Sequence, residues 1–272
     1  MGYEQISYAV ADRIATLTLN RPEARNAYTG EMADEIADAV RRADQDDDVR
    51  VLVLTGAGND FCVGADLSGG SLAAVSADDT WVEPATRAVR PLFESNKPVI
   101  AAVRGAAVGV GSTMILPADF RLAATDSRFG FVFSRRGIYP EGGSTWFLPR
   151  IVGLGRAMDW MVSGRLISAD EALAAGLVSA VYAPEDVLDK AYELAREIVE
   201  KVAPISAAVI RQALFRMSGF DSPQPAFALD SKLIASVIDN PDTVEGVISF
   251  LQRRPPEFTG LVSKDLPDFL PW

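Results

Sequence analysis

The segment GIYPEGGSTWFLPR, residues 137–150, sets a single carboxyl group, Glu141, between Tyr139-Pro140 and Gly142-Gly143. Pro-Glu-Gly-Gly is good turn chemistry, so one reading of Glu141 is a solvated turn residue. The other reading is a proton carrier. Phe133, Tyr139, Trp146 and Phe147 lie near it in the chain, and desolvation by such neighbours raises a carboxyl pKa toward neutrality. Two glycine-containing turns are the second feature. GNDFCVGADL (58–67) follows an apolar strand, and GAAVGVGSTMIL (105–116) passes from strand into helix. The first residues of a helix carry amide donors without partners, so the Val110 amide is a natural anion site. Taken alone, its G-x-G would more simply permit a tight turn or close packing.

What is missing narrows the chemistry. The 272 residues include no histidine and one cysteine, Cys62. Ser-His-Asp and Cys-His catalysis, histidine metal sites, thiolate zinc sites and an internal disulfide are therefore excluded. Acid–base work falls to carboxylates, lysine, tyrosine or backbone dipoles. Cys62 is expected to pack as a small apolar residue. The net charge of −11 argues against nucleic acid or an anionic membrane as partner, so an anionic ligand needs a local basic cluster. No signal peptide, membrane-length apolar run or C-terminal targeting tripeptide is evident, and a soluble, cytoplasmic protein is expected.

The elements that position these residues alternate. Residues 6–10 and 13–19 read as a hairpin turned at Ala11-Asp12. Thr29 caps a helix over about 30–45, with Met32, Ile36, Ala39 and Val40 on one face. VRVLVLTG (49–56) reads as a strand covered on both faces. Residues 68–85, rich in Gly, Ser and Asp, read as a mobile insertion whose acids Asp78, Asp79 and Glu83 are solvated, with Trp81 a pocket wall or a loop anchor. A helix about 84–95, a strand 98–105, a helix about 109–116 and a strand 120–124 follow. From about 155 the pattern is helical, and Met158, Trp160 and Met161 read as core. Strand–helix alternation predicts an α/β core over 1–200 and a helical part over 201–272.

The ordered set LNRPEARNAYT, LTGAGNDFCVGADL, KPVIAAVRGAAVGVGSTMILPADFRLAATDSRFGF and ISADEALAAGLV closely resembles the crotonase superfamily, the enoyl-CoA hydratase/isomerase family, from about residue 3 to about 260. The resemblance implies a crotonase fold of ββα repeats with a helical C-terminal part used in trimerisation. It implies an acyl-CoA thioester as ligand, no cofactor beyond that coenzyme A, and a homotrimer or hexamer. The two oxyanion-hole amides would be those of Ala65 and Val110, the latter where the family usually has glycine.

The resembled hydratases use two glutamates, and the matching positions here are Thr113 and Phe133. Adding water across a double bond needs a group to activate water and one to exchange the second proton, so hydration is not the main expectation. Glu141 matches the position of the base in isomerases with a P-E-G-G-like turn. Moving a double bond from C3 to C2 needs one base, which a single carboxylate supplies. A weak hydratase with water on Thr113, and a non-catalytic acyl-CoA carrier, stay open. Arg25 matches a position that contacts CoA phosphate. Backbone groups of Ala24, Ala65, Asp66 and Leu67 would line the ligand, with Asp66 ordering its turn. Arg253 and Arg254 resemble a segment that approaches CoA, sometimes from a neighbouring subunit, with Phe258 near the adenine. A solvated helix end is the other reading of that arginine pair.

Overall fold

The computed structural model describes residues 2–68, 81–238 and 240–272. β1 (Ile6–Ala11) and β2 (Ile14–Leu19) pair antiparallel with Ile6 opposite Leu19. The turn falls one residue later than expected, with Ala11 still paired to Ile14; the turn residues Asp12 and Arg13 have φ of 51° and 63°, the twist that a two-residue hairpin turn requires. α1 (Gly30–Gln45) starts where the Thr29 hydroxyl accepts the Met32 amide at 3.0 Å, and Met32, Ile36, Ala39 and Val40 are buried along it. β3 (Val51–Gly56), α2 (Pro84–Glu94), β4 (Val99–Val103), β5 (Ala106–Val108), α3 (Val110–Met114), β6 (Phe120–Ala124) and β7 (Arg128–Gly130) follow. Next come α4 (Ser144–Val152), α5 (Leu154–Ser163), β8 (Leu166–Ser168), α6 (Ala169–Ala174) and β9 (Ala180–Tyr182). The chain continues with α7 (Val187–Lys201), α8 (Pro204–Met217), α9 (Gln224–Ser236) and α10 (Pro241–Gln252).

The main sheet has the order β1-β2-β3-β4-β6-β9 and is parallel from β2 onward. β3 is apolar at successive positions because both faces are covered. Leu52 and Leu54 join the cluster with α1 and α2, while Val51 and Val53 pack with Ala191 and Ala195 of α7. β5, β7 and β8 form a second, three-stranded sheet. The expected strand 98–105 is present as β4, which stops at Val103; Gly105 then turns at φ 61°, and β5 beyond it joins the other sheet.

α8 is fastened to the α/β core by Arg211, whose side chain is 3% exposed and meets Asp119 at 2.8 Å. The same guanidinium donates to the carbonyls of Leu92, Phe93, Ser95 and Pro117. In α5 Trp160 is fully buried against Phe131, but Met158 is 57% exposed, contrary to the expected core position, because it lies on the outer face of that helix. Among the described residues no helix is long and apolar enough to cross a membrane.

Candidate active site

The loop that follows β3 is sewn by backbone to β5, beyond the end of β4. The Cys62 N–H donates to Ala106 O and the Cys62 carbonyl accepts from Val108 N–H, both at 2.9 Å. Further on, Tyr28 N–H donates to Gly64 O and Asp66 N–H donates to Tyr28 O, both at 2.8 Å. Ala65 lies between those two bonded residues, so its own N–H points away from Tyr28. No acceptor for it is present among the described residues. Val110 opens α3, where an N–H has no intrahelical partner.

Gly64 and Gly109, at φ 101° and 56°, stand back to back: a Cβ on Gly109 would come 3.7 Å from the Gly64 Cα. The Ala65 and Val110 amides thus follow directly from two neighbouring glycines. Gly111 is equally constrained, since a Cβ there would collide with the Cys62 carbonyl and stand 2.9 Å from the Cys62 Cβ.

The Glu141 turn is wedged between α2 and α3. Gly142 has φ 56°, and a Cβ on it would meet Thr113 Cγ2 at 2.7 Å and Val89 Cγ2 at 3.2 Å. Glu141 Oε1 is buried and has no hydrogen-bond partner among the described residues. Burial pushes the Glu141 carboxyl up to about 7; the Thr113 hydroxyl works against the shift and the negative charge of Glu83 adds to it. Tyr28 shares this environment. Its hydroxyl donates to Pro84 O at 2.8 Å, and burial, then the Glu141 charge, raise its pKa. Cys62 is fully buried, as expected, and burial pushes its thiol up to about 12.

The desolvation does not come from Tyr139. That ring is 88% exposed, because left-handed Gly137 ends the short turn Ser134–Arg136 and carries the chain outward. Phe133 is 2% exposed within the main core, and Thr113 is fully buried beside the Glu141 turn with its hydroxyl 3.3 Å from Gly109 O.

Glu83 also departs from expectation: it is not solvated but caps α2. Its Oε2 accepts from Ala85 N–H at 2.6 Å, and its Oε1 accepts from Thr86 N–H and Gly142 N–H, each at 2.8 Å. The available signal was Glu83-Pro84, an acceptor followed by proline at the first helical position. Asp78 and Asp79 lie outside the described residues.

The family profile described as enoyl-CoA hydratase/isomerase matches residues 10–261. The chain belongs to the enoyl-CoA hydratase/isomerase family. It is 36% identical over 249 residues to an enoyl-CoA hydratase of Alternaria alternata, covering 91% of this chain and 83% of that one. It is 35% identical over 261 residues to the 1,2-epoxyphenylacetyl-CoA isomerase of Escherichia coli, covering 91% and 95% respectively. A solved enoyl-CoA hydratase from Bacillus anthracis superposes with a TM-score of 0.87 at 30% identity, over 94% of this chain and 100% of that one. The fold is the crotonase fold of that family.

Within this member of the enoyl-CoA hydratase/isomerase family, the other ligand-facing candidates divide. Asp66 orders its turn: Oδ1 accepts from Ser68 N–H at 3.0 Å and Oδ2 meets Arg21 at 2.9 Å. Hydrogen bonds from Ser68, then from Arg21, hold its carboxyl at about 2. Leu67 is exposed beside it, and the Ala24 carbonyl accepts from Ala27 N–H at 3.0 Å. Arg25 is 63% exposed and paired with Asp60 at 2.7 Å, so its charge is already partly matched.

Arg253 ends α10 exposed at φ 56°, Arg254 pairs with Glu245, and Phe258 packs beside Gly246. The segment after Phe258 is anchored by Thr259 N–H on Asp242 and by the Ser263 hydroxyl on Asp47, just before β3 begins. These bonds hold Ser263 at the end of the sheet where β3 begins, whereas Ala65 and Val110 follow the ends at which β3 and β4 finish. A cavity of about 680 Å³ borders α4 and α8, and none of Ala65, Val110 or Glu141 lines it.

Proposed function

We propose that this chain shifts an enoyl-CoA double bond from C3 to C2, with Glu141 as proton shuttle and the Ala65 and Val110 amides as oxyanion hole. Glu141 removes a proton from C2, and the electron pair moves onto the thioester oxygen as a dienolate. Two fixed amide donors stabilise that charge, each worth on the order of 3 kcal/mol in the transition state. Glu141 then returns the proton to C4, which leaves the double bond conjugated with the thioester. A carboxyl near neutrality suits both halves of this cycle.

The observation that carries the reading is the half-buried Glu141 side chain, whose Oε1 is buried without a hydrogen-bond partner. Thr113 and Phe133 stand where the resembled hydratases keep their glutamates, which leaves the acid–base work to one group. Hydration is the second reading. A relative named a hydratase is 36% identical, and the Ser144 hydroxyl, three residues past Glu141, is buried without a partner and suited to hold water.

The proposal includes a cytoplasmic homotrimer or hexamer and no cofactor beyond the coenzyme A of the substrate. Leu154 and Val162 of α5 and Phe227, Ile234, Phe250 and Leu251 of the last helices are exposed, an apolar surface that assembly would cover. The test is turnover of a 3-enoyl-CoA to the conjugated 2-enoyl-CoA by wild type and Glu141→Gln. A fall of about 100-fold or more in the variant is expected. No turnover by either, with acyl-CoA still bound, would leave a carrier. Faster formation of 3-hydroxyacyl-CoA from a 2-enoyl-CoA would favour the hydratase.

A further inference from the structure

Glu83 occupies a position that a shorter residue would fill better. Helix N-caps favour Ser, Thr, Asp and Asn, whose side chains reach the second or third amide without slack. A glutamate there has one methylene too many, and here the extra length carries Oε1 to the Gly142 amide, 2.8 Å away, while the same carboxylate caps α2. The Gly142 amide belongs to a buried residue and would otherwise be an orphaned donor. Gly142 and Gly143 are consecutive left-handed glycines at φ 56° and 69°, a soft pair that has many other conformations open to it. The bond from Glu83 ties this soft turn to the rigid start of a helix, and a charged acceptor makes it a strong tie.

We infer that Glu83 is a positioning residue: it clamps Gly142 to the start of α2 and thereby fixes where the Glu141 carboxyl stands relative to the Ala65 and Val110 amides. The chemistry this serves rests on the isomerase reading; the clamp itself does not.

The charge environment agrees. The ionisable groups around the Glu141 carboxyl are Glu83 on α2, Tyr28 ahead of α1 and Cys62 in the loop after β3. Arg87, one turn along α2, is engaged with Asp34 at 2.6 Å. α3 and the first turn of α4 carry no charged side chain, and from them the Thr113 hydroxyl acts on the Glu141 carboxyl. Glu83 thus adds to the burial effect on Glu141.

The test compares Glu83→Asp and Glu83→Gln with wild type by three readouts: kinetics on a 3-enoyl-CoA, thermal melting, and deuterium exchange of the peptide spanning 138–147. Aspartate still caps α2 but withdraws its oxygens from Gly142 by about 1.5 Å, one carbon–carbon bond. The expected result is a wild-type melting temperature, faster exchange in the peptide, and kcat lower by about tenfold or more with KM little changed. Glutamine's single oxygen can still accept from the Thr86 and Gly142 N–H groups, while its amide nitrogen cannot accept from Ala85 N–H and the charge is lost. This variant should keep exchange slow and retain most of kcat, which a lost Gly142 bond would not allow, and removing the neighbouring negative charge should move the acid limb of the pH profile to lower pH.

Wild-type exchange and kcat in Glu83→Asp would overturn the inference, as would a glutamine variant as defective as the aspartate one. If wild type does not turn over the 3-enoyl-CoA, the isomerase reading falls by itself. The exchange data then decide the clamp alone: faster exchange in Glu83→Asp upholds it, and unchanged exchange overturns it.

Discussion

A carboxyl group that titrates at about 7 in the folded chain, against 4.5 for the free side chain, weakens the fold that holds it. The folded state binds this proton more tightly than the unfolded state does. Stability from Glu141 is therefore greatest below pH about 4.5, declines as pH rises through about 7, and stays low above that. Linkage sets the size at about 3 kcal/mol at most. Glu141→Gln removes the charge and keeps the shape, so urea melts at pH 8 should find the variant more stable by about 1–3 kcal/mol. The difference should shrink toward zero by pH 5; a constant difference at both pH values would mean that the carboxyl is not desolvated. In turnover the same group must be ionised to accept a proton. On the isomerase reading kcat then rises with pH as a single titration centred near 7. That one Glu141 oxygen is buried was not legible, because Pro-Glu-Gly-Gly suits a solvated turn equally well. What puts it inside is the contact of Gly142 with Thr113 and Val89, on helices distant in the chain.

Among the elements, the start of α3 depends on the bare face of Gly111 against the Cys62 carbonyl. Gly111→Ala should drive the two amide-bearing loops apart, at a cost of about 1–3 kcal/mol in stability. Activity should suffer more, by about 100-fold, since a displaced oxyanion donor costs that much by itself. Gly155→Ala, in α5 with open space around it, is the control and should leave both unchanged or raise stability slightly. Loss of activity in both variants would point to general fragility instead. α1 was legible because cap, period and burial all agree along it, and β3 because a strand covered on both faces has no polar positions to confuse it. β7, β8 and β9 were not, since three residues carry no measurable alternation. Nothing in the sequence around Arg211 signals its burial, which follows from Asp119 and the carbonyls gathered near the ends of α2 and α3. Glu83 was hidden by its neighbours, whose Gly, Ser and Asp content suggests an exposed loop, although Glu-Pro marked a helix start.

For the whole molecule, the exposed apolar side chains of α5 and the last helices oppose the net charge of −11, which would otherwise keep copies apart. Phe250 is 81% exposed, and Phe250→Glu should dissociate an assembly without unfolding the chain. Sedimentation velocity should give a multiple of 29.2 kDa for wild type and the single-chain mass for the variant, with circular dichroism unchanged. A wild type that sediments as one chain would remove oligomerisation from the proposal. If Arg253 and Phe258 reach the ligand of another copy, as the family resemblance implies, each site is built from two chains. Such a site can be repaired by mixing. Chains carrying Glu141→Gln and chains carrying Arg253→Ala, each impaired alone, would complement when co-refolded, because some sites would draw an intact Glu141 from one parent and an intact Arg253 from the other. Activity of the mixture above the sum of its parents at low substrate would be the mark of a shared site, and strict additivity the mark of self-sufficient ones.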